Sequence, residues 1–327
     1  MSGSALDTPM MRQYLAIKAR HPDALLFYRM GDFYEMFLRD AEIAAPLLDI
    51  ALTTRDKGKP DAVPMCGVPV HGADPYLKRL TELGHRVAIC EQVEAPHAGP
   101  GRKLVRRDVV EVITPGLVGN PELLDANREV SLVALDFDAG GEIGFAALEA
   151  STGELRATAV RAGDGPLPSA LAEELRRVAP REVLLSRLRA EALAPSLRAL
   201  LPDAAQTAVG ADSYDPATAP AQPAGFAPDA CDAATRAAAA LLRYLGDNQP
   251  FALPQVARLA RYALGDAMQL DAATRAHLEL FESAEDRSRR GTLIERLDEH
   301  SDQESKDNFA KSTLGQAHRW DGNRQRQ

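Results

Sequence analysis

An α/β fold built from successive units is what the sequence predicts, and three observations carry that expectation. Before residue 116, short apolar runs suited to strands alternate with amphipathic helical stretches. Between 131 and 161, three strand-like runs follow one another. Beyond 230, helical composition and period take over. The 327 residues accordingly divide into a mixed α/β unit (1–116) and an α/β unit that opens on a meander (117–250). The start of an all-α unit (251–298) and a polar tail without periodicity (299–327), expected to be disordered, complete the division.

Each element has a local reason. Thr8-Pro9 opens a helix with a capping hydroxyl and a proline at its first position, and His21-Pro22 ends it. Met11, Tyr14, Leu15 and Lys18 share one of its faces. Leu25–Met30 is a short apolar run for a buried strand; Gly31-Asp32 interrupts it, and Phe33–Leu48 is expected to be helical. Val63–Val70 contains Pro64 and Pro69, so an edge strand or an ordered loop is the most it should form. Pro75–Leu83 reads as a helix closed by Gly84 in the left-handed conformation. Arg86–Glu91 and Asp108–Thr114 read as strands, followed by Pro115-Gly116.

In the second unit, Ser131–Asp138 and Ile143–Ala150 form an expected hairpin, and Glu154–Arg161 a third strand. A helix over Leu171–Val178, a strand over Glu182–Ser186 and a loop or poorly ordered insertion over Pro202–Pro228 follow. Asp232 is placed to cap a helix over Ala233–Leu245, closed by Gly246. Farther on, Val256, Leu259, Ala263 and Leu264 keep a helical period, and Asp271–Phe281 forms another amphipathic stretch.

Composition excludes several classes. Apolar residues make up 45% of the chain, too many for a wholly disordered protein. No apolar run approaches the roughly 18 residues that span a bilayer. The start lacks a basic segment followed by an apolar one, so no secretion signal is expected and a cytoplasmic protein is. Cys66, Cys90 and Cys231 are odd in number and far apart, which argues for reduced, buried thiols rather than a disulfide framework or a zinc knuckle. The net charge of -9 is uneven: residues 1–115 balance to 0, residues 116–250 carry -8 and residues 251–327 carry -1. The first unit is therefore free to meet a polyanion, though without a strongly basic footprint.

The segment Gly31-Asp32-Phe33-Tyr34-Glu35 admits two readings. In one, Asp32 and Glu35 form a capping box and Phe33 and Phe37 are a core pair at i, i+4. In the other, Phe33 stands exposed at the helix start as a wedge that enters a base step, with Glu35 two residues away to meet a base edge. Wedging costs about a few kcal/mol per unstacked step, and less where pairing is already poor.

Four motifs occur in series: Gly31-Asp32-Phe33-Tyr34-Glu35, Pro64-Met-Cys-Gly-Val-Pro69 with His71, Val87-Ala-Ile-Cys-Glu-Gln92, and Val112-Ile-Thr-Pro-Gly116. In this order they resemble the N-terminal part of the MutS family of bacterial mismatch-repair proteins, over roughly residues 8–298. The resemblance implies a mismatch-recognition domain (1–116), an RNase H-like connector domain (117–250) and the first helices of a lever domain (251–298). It implies Phe33 as the stacking wedge, Glu35 as the carboxylate facing the displaced base and Arg55 as a DNA-backbone contact. The implied partners are double-stranded DNA with mismatches or small loops, a MutL-like protein and a second subunit of a MutS-type dimer. A carboxylate near phosphates is costly unless it accepts from a base N–H or takes up a proton.

The intact family couples recognition to ATP and Mg²⁺, which requires a G-x-x-x-x-G-K-[ST] loop. The single Gly-Lys pair, Gly58-Lys59, precedes Pro60 and has no glycine five residues before it. No enzyme activity and no cofactor are therefore expected of this chain, which reads as truncated before the clamp and ATPase. Arg102, Lys103, Arg106 and Arg107 form a basic cluster that is either a solvated loop or a set of phosphate contacts. Asp136 and Glu149 lie on neighbouring strands, where paired carboxylates hold metals in nucleases of RNase H type; solvated strand ends are the plainer reading. His71 reads as a structural histidine and Cys90 as a small core residue. Two alternatives to mismatch binding stay open: a connector-type protein-interaction module without DNA contact, and a non-functional product of an interrupted gene.

Overall fold

A computed structural model describes residues 7–55, 62–94, 105–118, 130–138, 140–163 and 167–264, with Gly165 and scattered positions between 278 and 296. Arg102, Lys103 and residues 299–327 lie outside the described residues, so the expectations placed on them do too. No helix among the described residues is long and apolar enough to cross a membrane.

The first sheet grows from a helix–strand–strand beginning. Helix α1 (Pro9–Arg20) is capped as expected, with the Thr8 hydroxyl accepting from the Met11 N–H at 3.3 Å. Its buried face is Met10, Met11, Tyr14 and Ile17, and Leu15 is left exposed. Strand β1 (Ala24–Met30) turns through Gly31-Asp32 directly into β2 (Phe33–Phe37), and only then does helix α2 (Leu38–Leu48) begin. The helix expected from Phe33 thus starts five residues later. Met30 pairs with Phe33, which makes Gly31-Asp32 a two-residue hairpin turn. Gly31 has φ +62°, a conformation glycine reaches without a Cβ clash. The capping box and the Phe33–Phe37 helical core pair do not form.

The remaining strands are β3 (Thr53–Arg55), β4 (Val63–Pro69), β5 (Arg86–Gln92) and β6 (Arg107–Ile113), with helix α3 (Asp74–Glu82) between β4 and β5. Their order is β3-β4-β2-β1-β5-β6, with β1 and β5 parallel and the other pairs antiparallel. Strand β4 is therefore interior despite its two prolines. It pairs with β2 on one side and with β3 on the other. One face of the sheet packs Phe27, Tyr34 and Met36 against α2 and α3. The other packs Leu26, Tyr28, Phe37 and Val63 against α1. Buried Asp40 ties that helix down, accepting from Tyr14 Oη (3.2 Å) and the Leu26 N–H (3.0 Å) and pairing with Lys18 (2.8 Å).

The second sheet follows the expected meander: β7 (Ser131–Phe137), β8 (Glu142–Glu149) and β9 (Glu154–Arg161). Helix α4 (Ser169–Val178) leads to β10 (Glu182–Ser186), helix α5 (Arg187–Leu200) and β11 (Ala205–Val209). The order is β11-β10-β7-β8-β9, extended by β12 (Leu259–Arg261) beside β9. Alternation splits β7 cleanly. Leu132 and Ala134 pack against α6 (Ala233–Asn248), whereas Val133 and Leu135 pack against α4 and α5. Alanine suits α6 because the helix lies so close: a Cβ on Gly144 of β8 would fall 1.9 Å from the Ala233 carbonyl oxygen. Asp232 caps α6 through the Thr235 N–H at 2.8 Å.

Two expectations change here, and a third falls almost entirely outside the described residues. Pro202–Pro228 is ordered as β11 and short 3-10 turns. The helical period at Val256–Leu264 becomes a 3-10 turn (Pro250–Gln255) and strand β12, because pairing with β9 satisfies more backbone than an isolated short helix would. The helix read over Asp271–Phe281 is described only at Leu278 and Glu279, which form a turn with Glu279 at φ +46°. Chain contacts separate Met1–Asp266 from Ala267–Gln327. Within the latter, the Arg296 N–H donates to the Thr292 carbonyl at 3.3 Å.

Candidate nucleic-acid interface

The candidate site lies on the α1 side of the first sheet, beyond the part that α1 covers. Alternation along β2 places Phe33, Glu35 and Phe37 on this face. The register carries the face across β4 and β3, since Phe37 pairs with Met65, Met65 with Thr53, and Val63 with Arg55. Arg55 confirms it, with its guanidinium 5.9 Å from the centroid of the Phe37 ring. Phe33, Glu35 and Arg55 are thus placed on one face of the sheet.

Phe33 is the first residue after the hairpin turn and is 48% exposed. Its strand neighbour across the sheet is Pro69, and the Val70 N–H donates to the Asp32 carbonyl at 2.9 Å. Tyr34 and Met36, pointing the other way, are buried. The ring that faces outward is therefore apolar, at a strand end, and backed by a rigid turn. The sequence held a signal for this: a Gly-Asp pair between two apolar runs is a hairpin turn as readily as a helix start.

Glu35 is half-buried, between Tyr28 on β1 and Gly67 on β4. Burial pushes its carboxyl above the ordinary carboxylate range, and the positive charges of Arg55 and Arg107 pull it partly back. Among the described residues it accepts no hydrogen bond and makes no ion pair. Gly67 keeps the surface beside it low, since a Cβ there would crowd the Tyr34 carbonyl oxygen at 3.1 Å and come into contact with the Glu35 Cγ. A half-buried carboxylate with no partner among the described residues has acceptor capacity to spare.

The basic cluster divides. Arg107 is 8% exposed and committed inside. Its Nε donates to the Arg29 carbonyl at 2.6 Å, its Nη1 to the Val105 carbonyl at 3.0 Å, and its guanidinium lies 5.0 Å from the Tyr28 ring centroid. It supplies positive potential beneath Glu35 rather than a phosphate contact. Arg106 is exposed. His71, read as a structural histidine, is exposed in the 3-10 turn Val70–Gly72 that follows β4.

The carboxylate pair on the second sheet does not assemble. Asp136 faces Gly144 and Glu149 faces Ser131, at opposite ends of the same hairpin. Asp136 is paired with Arg236 at 2.7 Å. Among the described residues no group of three or more His, Cys, Asp or Glu is placed to hold a metal ion.

Two mixed sheets in series, the first presenting an aromatic ring beside a carboxylate unpaired among the described residues, define an α/β protein with a surface suited to stacking and acceptor contacts. Residues 8–122 match the family model described as MutS domain I. The chain is 44% identical over 304 residues to the DNA mismatch repair protein MutS of Myxococcus xanthus, covering 89% of this chain and 33% of that protein. The MutS proteins of Syntrophobacter fumaroxidans and Sorangium cellulosum are also 44% identical, over 302 and 307 residues. The chain spans about one third of the length of the curated relatives it matches. It is thus similar, over most of its own length, to part of the DNA mismatch-repair protein MutS.

Proposed function

We propose that this chain takes part in DNA mismatch repair by recognising mispaired or unpaired bases in a duplex. The observation that carries the reading is the placement of Phe33 and Glu35, an exposed ring and an acceptor without a partner among the described residues, two positions apart on one sheet face. Phe33 enters a weakened base step and stacks there, kinking the duplex, at about a few kcal/mol of unstacking per step. Glu35 accepts from an exposed base N–H or, protonated, donates to a base acceptor. Arg55 meets the phosphates on the same side and holds the duplex in register without reading its sequence.

The second sheet acts as a connector that relays conformation and docks a MutL-like partner. A MutS-type dimer and ATP-driven steps belong to the longer relatives' architecture. In this reading, the present chain contributes the recognition element.

The test compares affinity for a G·T duplex and a matched duplex, with wild type and Phe33→Ala. Loss of discrimination with little change in matched-duplex affinity supports the wedge. Equal discrimination in both proteins excludes it, and an absence of any mismatch preference in wild type leaves the protein-interaction reading in its place.

A further inference from the structure

The two sides of the β1–β2 hairpin are built differently. On the front, Phe33 is exposed and Glu35 has no hydrogen-bond or ion-pair partner among the described residues. On the back, Arg29 pairs with Tyr34 in the register of β1 and β2. Glu91 follows Cys90, the β5 partner of Tyr28. Three consecutive strands therefore bring Tyr34, Arg29 and Glu91 into one lateral row directly behind the exposed ring.

This row is joined by hydrogen bonds. The Tyr34 hydroxyl donates to Glu91 Oε1, and Arg29 Nη1 donates to both carboxylate oxygens at 3.3 and 3.4 Å. Arg29 Nε donates to the Gly31 carbonyl at 2.5 Å, and its guanidinium lies 5.7 Å from the Tyr34 ring centroid. The other turn carbonyl, that of Asp32, is held by the Val70 N–H at 2.9 Å. Both carbonyls of the two-residue turn are thereby fixed, one through a chain that ends at Glu91.

The arrangement is more than general stability requires. The Arg29 and Glu91 side chains are each more than a quarter exposed, and an isolated pair of that kind adds little to global stability. Its effect is local. A hairpin tip is among the first parts of a protein to open. A ring that must push into a base stack transmits that load to its own turn.

We propose that Glu91 is the positioning residue of the wedge: through Arg29 and Tyr34 it holds the Gly31–Asp32 turn so that Phe33 stands in a single direction. The proposal rests on the reading of Phe33 as a wedge. It assigns a role to the Glu-Gln end of the Val87–Gln92 motif, which the contact surface itself does not use.

Hydrogen exchange of the Met30–Tyr34 segment in the free, full chain tests the brace without DNA. Affinities for G·T and matched duplexes then test its consequence. Glu91→Ala should speed exchange in this segment by about tenfold, leaving β7–β9 unchanged. It should lower mismatch discrimination by about fivefold, the order of one lost hydrogen bond, with matched-duplex affinity retained. Glu91→Asp should recover part of both effects, which a merely structural loss would not allow. Should Glu91→Ala fail to fold, Tyr34→Phe removes only the hydroxyl and is read in the same way. Unchanged exchange overturns the brace. So does full discrimination in Glu91→Ala where Phe33→Ala abolishes it. If Phe33→Ala keeps its discrimination, the wedge reading falls instead, and exchange alone decides whether Glu91 braces the turn.

Discussion

The Thr114 hydroxyl donates to Glu182 Oε2 at 2.5 Å, joining the exit of the first sheet to the second. Glu182 is fully buried. The Gly116 N–H reaches the same oxygen at 3.0 Å, and Thr207 Oγ1 and Tyr244 Oη reach Oε1 at 2.6 and 2.7 Å. Four donors on two oxygens fill the capacity of an ionised carboxylate. Gly116 permits the approach, since a Cβ there would stand 2.7 Å from the Glu182 Cβ. A second tie runs from Arg86 on β5 to Asn248 on α6 at 2.9 Å. The Val112–Gly116 motif is thus a joint between the two sheets.

Removing that carboxylate should therefore be severe. Glu182→Ala leaves four donors unmatched, three of them buried and that of Thr207 half-buried, and we expect a loss of about 3–5 kcal/mol, given about 1–3 kcal/mol for each buried donor left unsatisfied. Urea unfolding measures it; a loss under about 1 kcal/mol would show that water replaces the carboxylate at the joint.

Phe33→Ala should separate folding from function. The ring is half exposed, so its removal should change stability by only about 0.5 kcal/mol. Stacking on a base is worth about 1–3 kcal/mol, so mismatch discrimination should drop roughly fivefold or more. A large loss of thermal stability would place the ring in the core instead.

The Glu35 carboxyl titrates above its ordinary value because burial disfavours the charged form. Its contribution to stability is full below the ordinary value of 4.5 and is lost as pH rises through the raised one. At neutral pH, Glu35→Gln should accordingly be at least as stable as wild type, and wild type should gain on it as pH is lowered. Mismatch affinity at fixed salt should fall as pH rises from about 5 to about 8 if the bound form is protonated. A flat profile would remove the proton from recognition.

Arg55→Ala should weaken binding to matched and mismatched duplexes alike. It should reduce the log–log salt slope by about 0.9, the signature of one lost phosphate contact. An unchanged slope would confine Arg55 to its stacking on Phe37.

Thiol labelling should resolve the cysteines. Cys231 is exposed, whereas Cys66 and Cys90 are buried, with burial pushing their thiols up to about 11 and about 12. Maleimide should modify one thiol in the native protein and all three in denaturant. Rapid labelling of a second would mean that the first sheet opens readily.

Local chemistry alone reveals much of this molecule: the Thr8 cap of α1, the β7–β8 hairpin, the Asp232 cap of α6, and the motif that holds Phe33 and Glu35. These follow from interactions within a few residues of one another, which sequence spacing encodes directly. The hairpin at Gly31-Asp32 was ambiguous, because Phe33 to Phe37 satisfies a helical period as well as an alternating one, and pairing with β1 and β4 decides it. Pro64 and Pro69 likewise suggest an edge, yet β3 pairs alongside β4. Only the tertiary structure unites Arg55 with Glu35, moves Arg107 inside, places Glu91 behind Phe33 and closes Glu182 around Thr114. In each case the partners lie far apart in the chain, and burial rather than spacing determines what a charged side chain must meet.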